Sequence, residues 1–118
     1  MGLILVVDDD EMVRDFVTAI LATFGHDSVP AGDGVEALLA FQYLRHQISL
    51  VIMDIMMPRM DGIAVTKVIK EANPSAKVIL MTGCPEQFSA EVKPDAFLPK
   101  PFRSKDLRET VEKVLNMA

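Results

Sequence analysis

The sequence predicts an α/β fold, with a parallel β-sheet covered by helices on both faces. Short apolar runs alternate five times with longer segments whose apolar residues repeat at helical spacing. Two of these runs, at residues 3–7 and 50–53, are apolar at every position, as expected for strands buried on both faces of a sheet. Each of the two is followed directly by carboxylates, which begin at Asp8 and at Asp54.

The first half of the chain predicts two strand–helix units and a third strand. After the first strand, apolar residues at positions 13, 16, 17, 20, 21 and 24 form one helix face, and Gly25 is a suitable stop. A short second strand is predicted at residues 27–31. Asp33, with Glu36 three residues later, resembles a capping box that opens a helix ending near Arg45. The third strand covers residues 50–53.

The second half continues the alternation. Apolar residues at positions 65, 68, 69 and 72 predict a third helix that ends at Asn73-Pro74. Strands follow at residues 77–81 and 96–98, and Ser104 is a candidate N-cap for a last helix. Five such units joined by right-handed crossovers favour a flavodoxin-like (βα)5 three-layer sandwich, with the parallel sheet in the order 2-1-3-4-5.

The segment between the fourth and fifth strands predicts a shortened fourth helix. Pro85 is suited to start a helix, and Pro94 discourages one from continuing past Lys93. The fourth helix therefore spans residues 86–92 at most and is predicted to be short or irregular.

Length and composition limit the function classes. With 118 residues, the chain predicts a single domain over residues 1–118, large enough to bury a core without disulfides. The single cysteine, Cys84, excludes an internal disulfide and favours a reducing, cytoplasmic location. A formal net charge of -5 argues against nucleic-acid binding by this domain. No apolar run approaches the roughly 20 residues that a membrane span needs.

The acidic residues after the first and third strands predict a divalent cation site. Because the carboxyl ends of parallel strands meet at one edge of the sheet, Asp8, Asp9 and Asp54 are expected to lie together. Clustered carboxylates repel one another unless a cation neutralises them, and such hard oxygen ligands suit Mg²⁺. Asp10 is interpreted instead as a solvated helix start, and Asp61 as a turn or cap residue.

Taken together, these motifs resemble the receiver domain of bacterial two-component response regulators. The resemblance covers nearly the whole chain, with one motif at the end of each of four strands. The motifs are Asp8-Asp9, the segment from Asp54 through Pro58 to Asp61-Gly62, Met81-Thr82-Gly83, and Lys100-Pro101-Phe102.

The resemblance implies a phosphoacceptor and a metal site. Asp54 would attack a phosphohistidine on a sensor histidine kinase or a phosphotransfer protein and form an aspartyl phosphate. Asp9 and Asp54 would bind Mg²⁺ together with the backbone carbonyl of Met56, and Asp8 would support the metal. The domain would then be a signalling domain that catalyses its own phosphorylation and dephosphorylation, rather than an enzyme acting on other molecules.

The resemblance also implies a switch. Thr82 would hydrogen-bond the new phosphoryl group, and Lys100 would pair with it. Thr82 would move toward that group while the aromatic residue of the fifth strand, Phe97, changes rotamer. Phe97 lacks the hydroxyl group of the more common Tyr and is expected to favour the buried position. A cis peptide bond at Lys100-Pro101 is a further hypothesis.

The expected partners are the phosphodonor protein and an output domain or protein, with no membrane contact, and the expected state is a monomer or weak dimer. Met56 and Cys84 stand two residues after Asp54 and Thr82. Neither side chain offers a carboxylate or amide to orient water, so slow self-dephosphorylation is expected.

Three other interpretations fit parts of the chain. One is a receiver-like adaptor whose interactions do not depend on phosphorylation. Asp8-x-Asp10 also resembles the start of haloacid-dehalogenase-like phosphatases, although residue 12 is Met and the chain is short for such an enzyme. Residues 32–37 fit the dinucleotide fingerprint G-x-G-x-x-A but follow a short strand that contains a Pro. Replacing Asp54 separates a receiver from a phosphatase, whose nucleophile would be Asp8.

Overall fold

The sheet has the predicted order. In the computed structural model, which describes residues 2–84 and 92–117, five parallel strands pair in the order β2-β1-β3-β4-β5. The predicted fold class is therefore confirmed. The strands are β1 (Leu3–Val7), β2 (Ser28–Ala31), β3 (Ile48–Asp54), β4 (Val78–Thr82) and β5 (Ala96–Pro99).

The described residues contain four helices, none of which is long and apolar enough to cross a membrane. The predicted short helix at residues 86–92 lies outside the described part of the chain, except for Val92, which is buried. The helices are α1 (Glu11–Thr23), α2 (Gly34–Leu44), α3 (Gly62–Ala72) and α4 (Ser104–Leu115).

Three helices begin at an aspartate that follows a strand or loop. In each case the side chain accepts a hydrogen bond from a backbone N–H of the first turn, which otherwise has no partner inside the helix. The predicted helix starts at Asp10 and Asp33 and the cap at Asp61 are therefore confirmed. The bonds run to Asp10 from Met12 N (2.9 Å), to Asp33 from Glu36 N (2.8 Å) and to Asp61 from Ala64 N (2.8 Å).

The start of α4 differs from the prediction. Ser104 is the first helical residue rather than the cap, and Arg103 takes the N-cap position with an extended backbone. The Arg103 N–H donates to Asp106 Oδ2 at 2.9 Å. The predicted Ser104 cap is wrong because a carboxylate in the first turn reaches back to the residue before Ser104 and fixes the start there.

Each face of the sheet has its own apolar core. Successive strand residues point to opposite faces, so that β1, β3 and β4 supply buried side chains to both. One face packs on α2 and α3, through residues such as Phe41 and Ile69. The other packs on α1 and α4, through residues such as Leu21 and Val111. This arrangement explains why the central strands are apolar at every position.

A polar network at the amino edge of the sheet, where the strands begin, positions β5. Lys70 Nζ at the end of α3 donates to Asp95 Oδ2 at 2.8 Å, and the Val78 N–H donates to the same oxygen at 2.8 Å. The Asp95 N–H donates to the Val78 carbonyl at 2.8 Å. These contacts fix β5 beside β4, so that Lys100 emerges at the carboxyl edge.

Candidate functional site

Three carboxylates meet at the carboxyl edge of the sheet, as predicted. Val7 of β1 pairs in register with Met53 of β3, which sets Asp8 beside Asp54. One oxygen each of Asp8, Asp9 and Asp54 lies within 4.8 Å of the others. Asp8 is fully buried, Asp54 is 7% exposed and Asp9 faces solvent. The structure thus brings the predicted acidic residues together in three different environments.

Asp8 is held on all sides. Its Oδ1 accepts from the Asp10 N–H at 2.9 Å, and its Oδ2 accepts from Lys100 Nζ at 2.9 Å. Arg14 Nη1 of α1 donates to the Asp8 carbonyl at 2.6 Å. Arg14 could not be predicted as a partner of Asp8, since a spacing of six residues has no meaning until α1 is packed against β1.

Lys100 is the cation of this cluster. It follows β5, where its N–H donates to the Thr82 carbonyl at 2.8 Å. Its Nζ lies 2.9 Å from Asp8 Oδ2 and 3.4 Å from Asp54 Oδ2. The Lys100-Pro101 peptide bond is cis, which confirms that hypothesis.

Burial and charge shift the pKa of two of these groups. Burial raises the pKa of the Asp54 carboxyl, the charge of Asp8 raises it further, and Lys100 and the Met56 N–H offset part of the rise. Burial alone would lower the pKa of Lys100. Its hydrogen bond to Asp8 and the charges of Asp54 and Asp8 outweigh burial, so the pKa of Lys100 is raised. Lys100 therefore stays protonated and neutralises one carboxylate.

The donor set fits a divalent cation. The formal charges of these three carboxylates and of the Lys100 ammonium group sum to about −2. Oxygen-only ligands suit Mg²⁺. Asp9 and Met56 also border an open pocket of about 470 Å³ beside the cluster; the pocket is lined by Asp9, Ile55, Met56, Met57, Pro58 and Asp61.

Thr82 lies at the end of β4, one strand away from Asp54. Asp54 pairs with Met81, so the next residue, Thr82, stands beside the end of β3. Thr82 is 1% exposed, and its Oγ1 accepts from the Cys84 N–H at 3.0 Å. The hydroxyl group is thus at the same edge as the acidic cluster, as predicted.

Phe97 is not in the buried position that its apolar ring was expected to favour. Its side chain is 39% exposed. The neighbouring Leu98 points into the core between the sheet and helices α1 and α4, at 3% exposure, and successive strand residues alternate in direction. Phe97 therefore projects from the other face of the edge strand β5.

The structure does not favour the alternative interpretation of residues 32–37 as a dinucleotide site. It follows β2, which is the edge strand, rather than the central β1. Gly34 is the first residue of α2 and packs directly on the backbone of Met60: a Cβ at Gly34 would lie 2.1 Å from the Met60 carbonyl oxygen. The space where a pyrophosphate would approach is occupied by protein backbone.

Known proteins with similar sequences share this architecture. A family model described as the response regulator receiver domain matches residues 4–112. The chain is 34% identical over 116 residues to the sensor kinase CckA of Brucella abortus, covering 95% of this chain and 12% of that protein. It is 35% identical over 108 residues to the DNA-binding response regulator MtrA of Mycobacterium tuberculosis, covering 88% of this chain and 46% of that protein.

Solved structures are similar to this structure along nearly the full chain. A receiver domain protein from Clostridium thermocellum has a TM-score of 0.91 at 27% identity, covering 98% of this chain and 95% of that one. TrrA from Thermotoga maritima, in complex with Mg²⁺ and BeF, has a TM-score of 0.87 at 33% identity, covering 97% and 99%.

The chain thus spans half or less of each curated relative named above, while it matches the two solved structures almost end to end. The family match over residues 4–112 and the acidic edge of the sheet agree with each other. The chain belongs to the response regulator receiver domains, the phosphoacceptor domains of two-component signal transduction.

Proposed function

We propose that Asp54 is the phosphoacceptor and that it receives its phosphoryl group from a phosphohistidine of a sensor histidine kinase or phosphotransfer protein. The observation that supports this choice is the state of the three carboxylates. Asp8 is fully buried, with one oxygen bonded to the Asp10 N–H and the other to Lys100. Asp54 retains 7% exposure and lies 3.4 Å from Lys100 Nζ. Only Asp54 therefore combines access with an adjacent cation.

The same comparison argues against the phosphatase interpretation. That enzyme would need Asp8 as nucleophile, and an attacking oxygen must reach the phosphorus atom. Both Asp8 oxygens are engaged and the side chain is only 1% exposed. Asp8 is better suited to hold Lys100 and to support a metal.

The groups that would hold Mg²⁺ are Asp9, Asp54 and the Met56 carbonyl, and Asp8 would support the metal. Asp9 and Met56 border the open pocket, while Asp54 lies at the inner end of the same edge. When bound, the cation supplies positive charge that neutralises phosphoryl oxygens during transfer.

The chain's own residues perform the transfer. An Asp54 carboxylate oxygen forms the new O–P bond as the P–N bond to the donor histidine breaks, and the imidazole leaves with the electron pair. Lys100 Nζ, already within 3.4 Å of Asp54, turns to the phosphoryl oxygens and compensates their charge. The Thr82 hydroxyl donates to another of these oxygens.

In this proposal the movement of Thr82 is the start of the switch. Thr82 accepts from the Cys84 N–H in this structure, so its reorientation changes the chain directly after β4. Phe97, on the neighbouring strand and 39% exposed, turns inward as Thr82 moves. The domain thus acts as a cytoplasmic signalling unit and is a monomer or weak dimer. Phosphorylation converts it between two states that present different surfaces.

Intact mass after incubation with Mg²⁺ and a small acyl phosphate tests the proposal. The wild-type chain is expected to gain one phosphoryl group and Asp54→Asn none. Asp10→Asn is the matched control: it removes a nearby carboxylate that only caps α1, and should be phosphorylated like the wild type. Absence of any gain in the wild type would favour the phosphorylation-independent adaptor, and a gain in Asp54→Asn would contradict the assignment of the nucleophile.

Slow self-dephosphorylation is a second expectation. Met56 is 59% exposed beside the site, and its thioether cannot orient an attacking water. The phosphorylated form should outlast seconds at 25 °C, and Met56→Glu should shorten its lifetime by about tenfold or more, since a positioned general base accelerates such steps by 10²–10⁴. Met117→Glu, at an exposed methionine outside the site, should leave the lifetime unchanged.

A further inference from the structure

We propose that Asp33 and Arg59 are positioning residues, which hold the loop between β3 and α3 so that the Met56 carbonyl is presented to Mg²⁺. The inference rests on the proposed function, in which Asp9, Asp54 and that carbonyl bind the ion. Neither Asp33 nor Arg59 would touch the metal. They would act through the loop, residues 55–61, that connects Asp54 to α3.

The two ends of this loop, at Ile55 and Gly62, are held together by close backbone contacts. The Gly62 N–H donates to the Ile55 carbonyl at 2.8 Å, which closes the loop at the start of α3. A Cβ at Gly62 would lie 2.3 Å from the carbonyl oxygen of Asp54. The backbone of α3 thus rests directly on the backbone of Asp54. The outer part of the loop, around Arg59, has separate contacts.

The outer part is held by the start of α2. Arg59 Nε donates to Asp33 Oδ2 at 3.1 Å, and Arg59 Nη2 contacts the same oxygen. One residue further along each segment, Gly34 packs on the Met60 carbonyl so closely that a side chain would not fit. The ion pair and the backbone contact together join α2 to the loop across 26 residues of sequence.

Arg59 combines an unusual backbone conformation with a side chain bound to Asp33. Its φ is 67°, in the left-handed region that residues with a Cβ seldom adopt. Asp33 is a firm partner for it: the Glu36 N–H and the Arg59 guanidinium lower the pKa of the Asp33 carboxyl, which stays charged at neutral pH. The pair therefore favours the turn that aims the preceding residues at the pocket.

A purely electrostatic role and a positioning role predict different changes in Mg²⁺ affinity, so a binding experiment can separate the two roles. If charge alone matters, removing the cation of Arg59 should strengthen Mg²⁺ binding, and removing the anion of Asp33 should weaken it. If the pair positions the loop, both substitutions should weaken binding. The double substitution should then be no worse than either single one, because one contact is lost in all three.

Titration of backbone amide NMR signals with Mg²⁺ alone measures this. Asp33→Asn keeps the helix cap and loses the charge, Arg59→Gln loses the cation, and each is expected to raise the Kd for Mg²⁺ about two- to fivefold, as for an exposed ion pair. Arg59→Gly tolerates positive φ, so it should weaken binding while its urea midpoint stays near wild type. Arg108→Gln, which breaks the 3.0 Å pair with Glu112 on α4, is the control and should leave the Kd unchanged.

Two results would overturn the inference in distinguishable ways. An Arg59→Gln variant that binds Mg²⁺ as tightly as the wild type, or more tightly, would leave the proposed function intact and remove the positioning role. A wild-type chain that binds no Mg²⁺ would remove the metal site and the positioning role together. Phosphorylation of Asp54, measured separately by mass, shows which part of the proposed function survives.

Discussion

At the scale of single residues, the properties of the site follow from the different environments of three neighbouring carboxylates. Asp8 is fully buried and paired, Asp54 is nearly buried and shares the same lysine, and Asp9 is solvated. Two carboxylates compete for one ammonium group, so the folded state without Mg²⁺ carries unfavourable repulsion. Stability is given up here for the capacity to bind a cation and a phosphoryl group.

This repulsion predicts that Asp54→Asn is more stable than the wild type at pH 7 without Mg²⁺. The folded pKa of Asp54 is raised by burial and by Asp8, above the ordinary value of 3.8. A carboxyl group with a raised folded pKa contributes most stability at low pH, and that contribution is lost as pH rises through the folded pKa. Urea midpoints should differ at pH 7 and converge as pH falls toward 3.8. A less stable Asp54→Asn variant at pH 7 would contradict this.

At the scale of elements, the close contact between β3 and α3 sets the geometry around Asp54. The first residue of α3, Gly62, touches the last residue of β3 through backbone atoms alone. Local helix propensity would favour Ala over Gly there by about 1 kcal/mol. The contact overrides propensity, since an added methyl group would collide with a backbone carbonyl that cannot rotate away.

Gly62→Ala is therefore expected to destabilise the fold by about 1–3 kcal/mol, the usual cost of overpacking, despite its better helix propensity. The added Cβ would lie 2.3 Å from the Asp54 carbonyl oxygen and would displace the phosphoacceptor, so phosphorylation should slow as well. The control is Gly32→Ala, whose Cβ would meet the flexible ends of Glu36 and Arg14 at 3.5 and 3.6 Å. Urea denaturation of both variants decides; equal stabilities would refute the steric account.

At the scale of the whole molecule, two apolar cores on opposite faces of one sheet hold the carboxyl edge together. β3 occupies the middle of the sheet and belongs to both cores, with Val51 on one face and Ile52 on the other. Because Asp54 ends this strand, the site is anchored in a run of five buried residues at the carboxyl end of β3. Its position depends on the packing of all the surrounding helices.

Ile52→Ala should lower the free energy of unfolding by about 2–5 kcal/mol, the range for truncating a buried Ile. Against a typical total of about 5–15 kcal/mol, this is a large fraction of the stability. Leu39→Ala is the control. Leu39 lies on the outer side of α2 and is 62% exposed, so this substitution should change stability by less than about 0.5 kcal/mol. Comparable losses in the two variants would show that burial does not decide stability here.

The sequence by itself determined the class of fold, the strand order and the acidic edge. Those follow from local patterns: runs apolar at every position, helical stripes, aspartates at helix starts, and carboxylates directly after strands. The error at Ser104 has a local cause too, because two polar residues compete for one helix start and Asp106 reaches back to Arg103.

Beyond the acidic edge, only the tertiary structure decided which individual groups bond to one another across the chain. Lys100 reaches Asp8 over 92 residues, Arg59 reaches Asp33 over 26, and Arg14 reaches the Asp8 carbonyl through the packing of α1. It also decided that Phe97, on the edge strand β5, is 39% exposed while its neighbour Leu98 is buried. Spacing in sequence carries no information about such contacts. They depend on how the helices pack against the sheet, whereas the strands and caps depend on residues only a few positions apart.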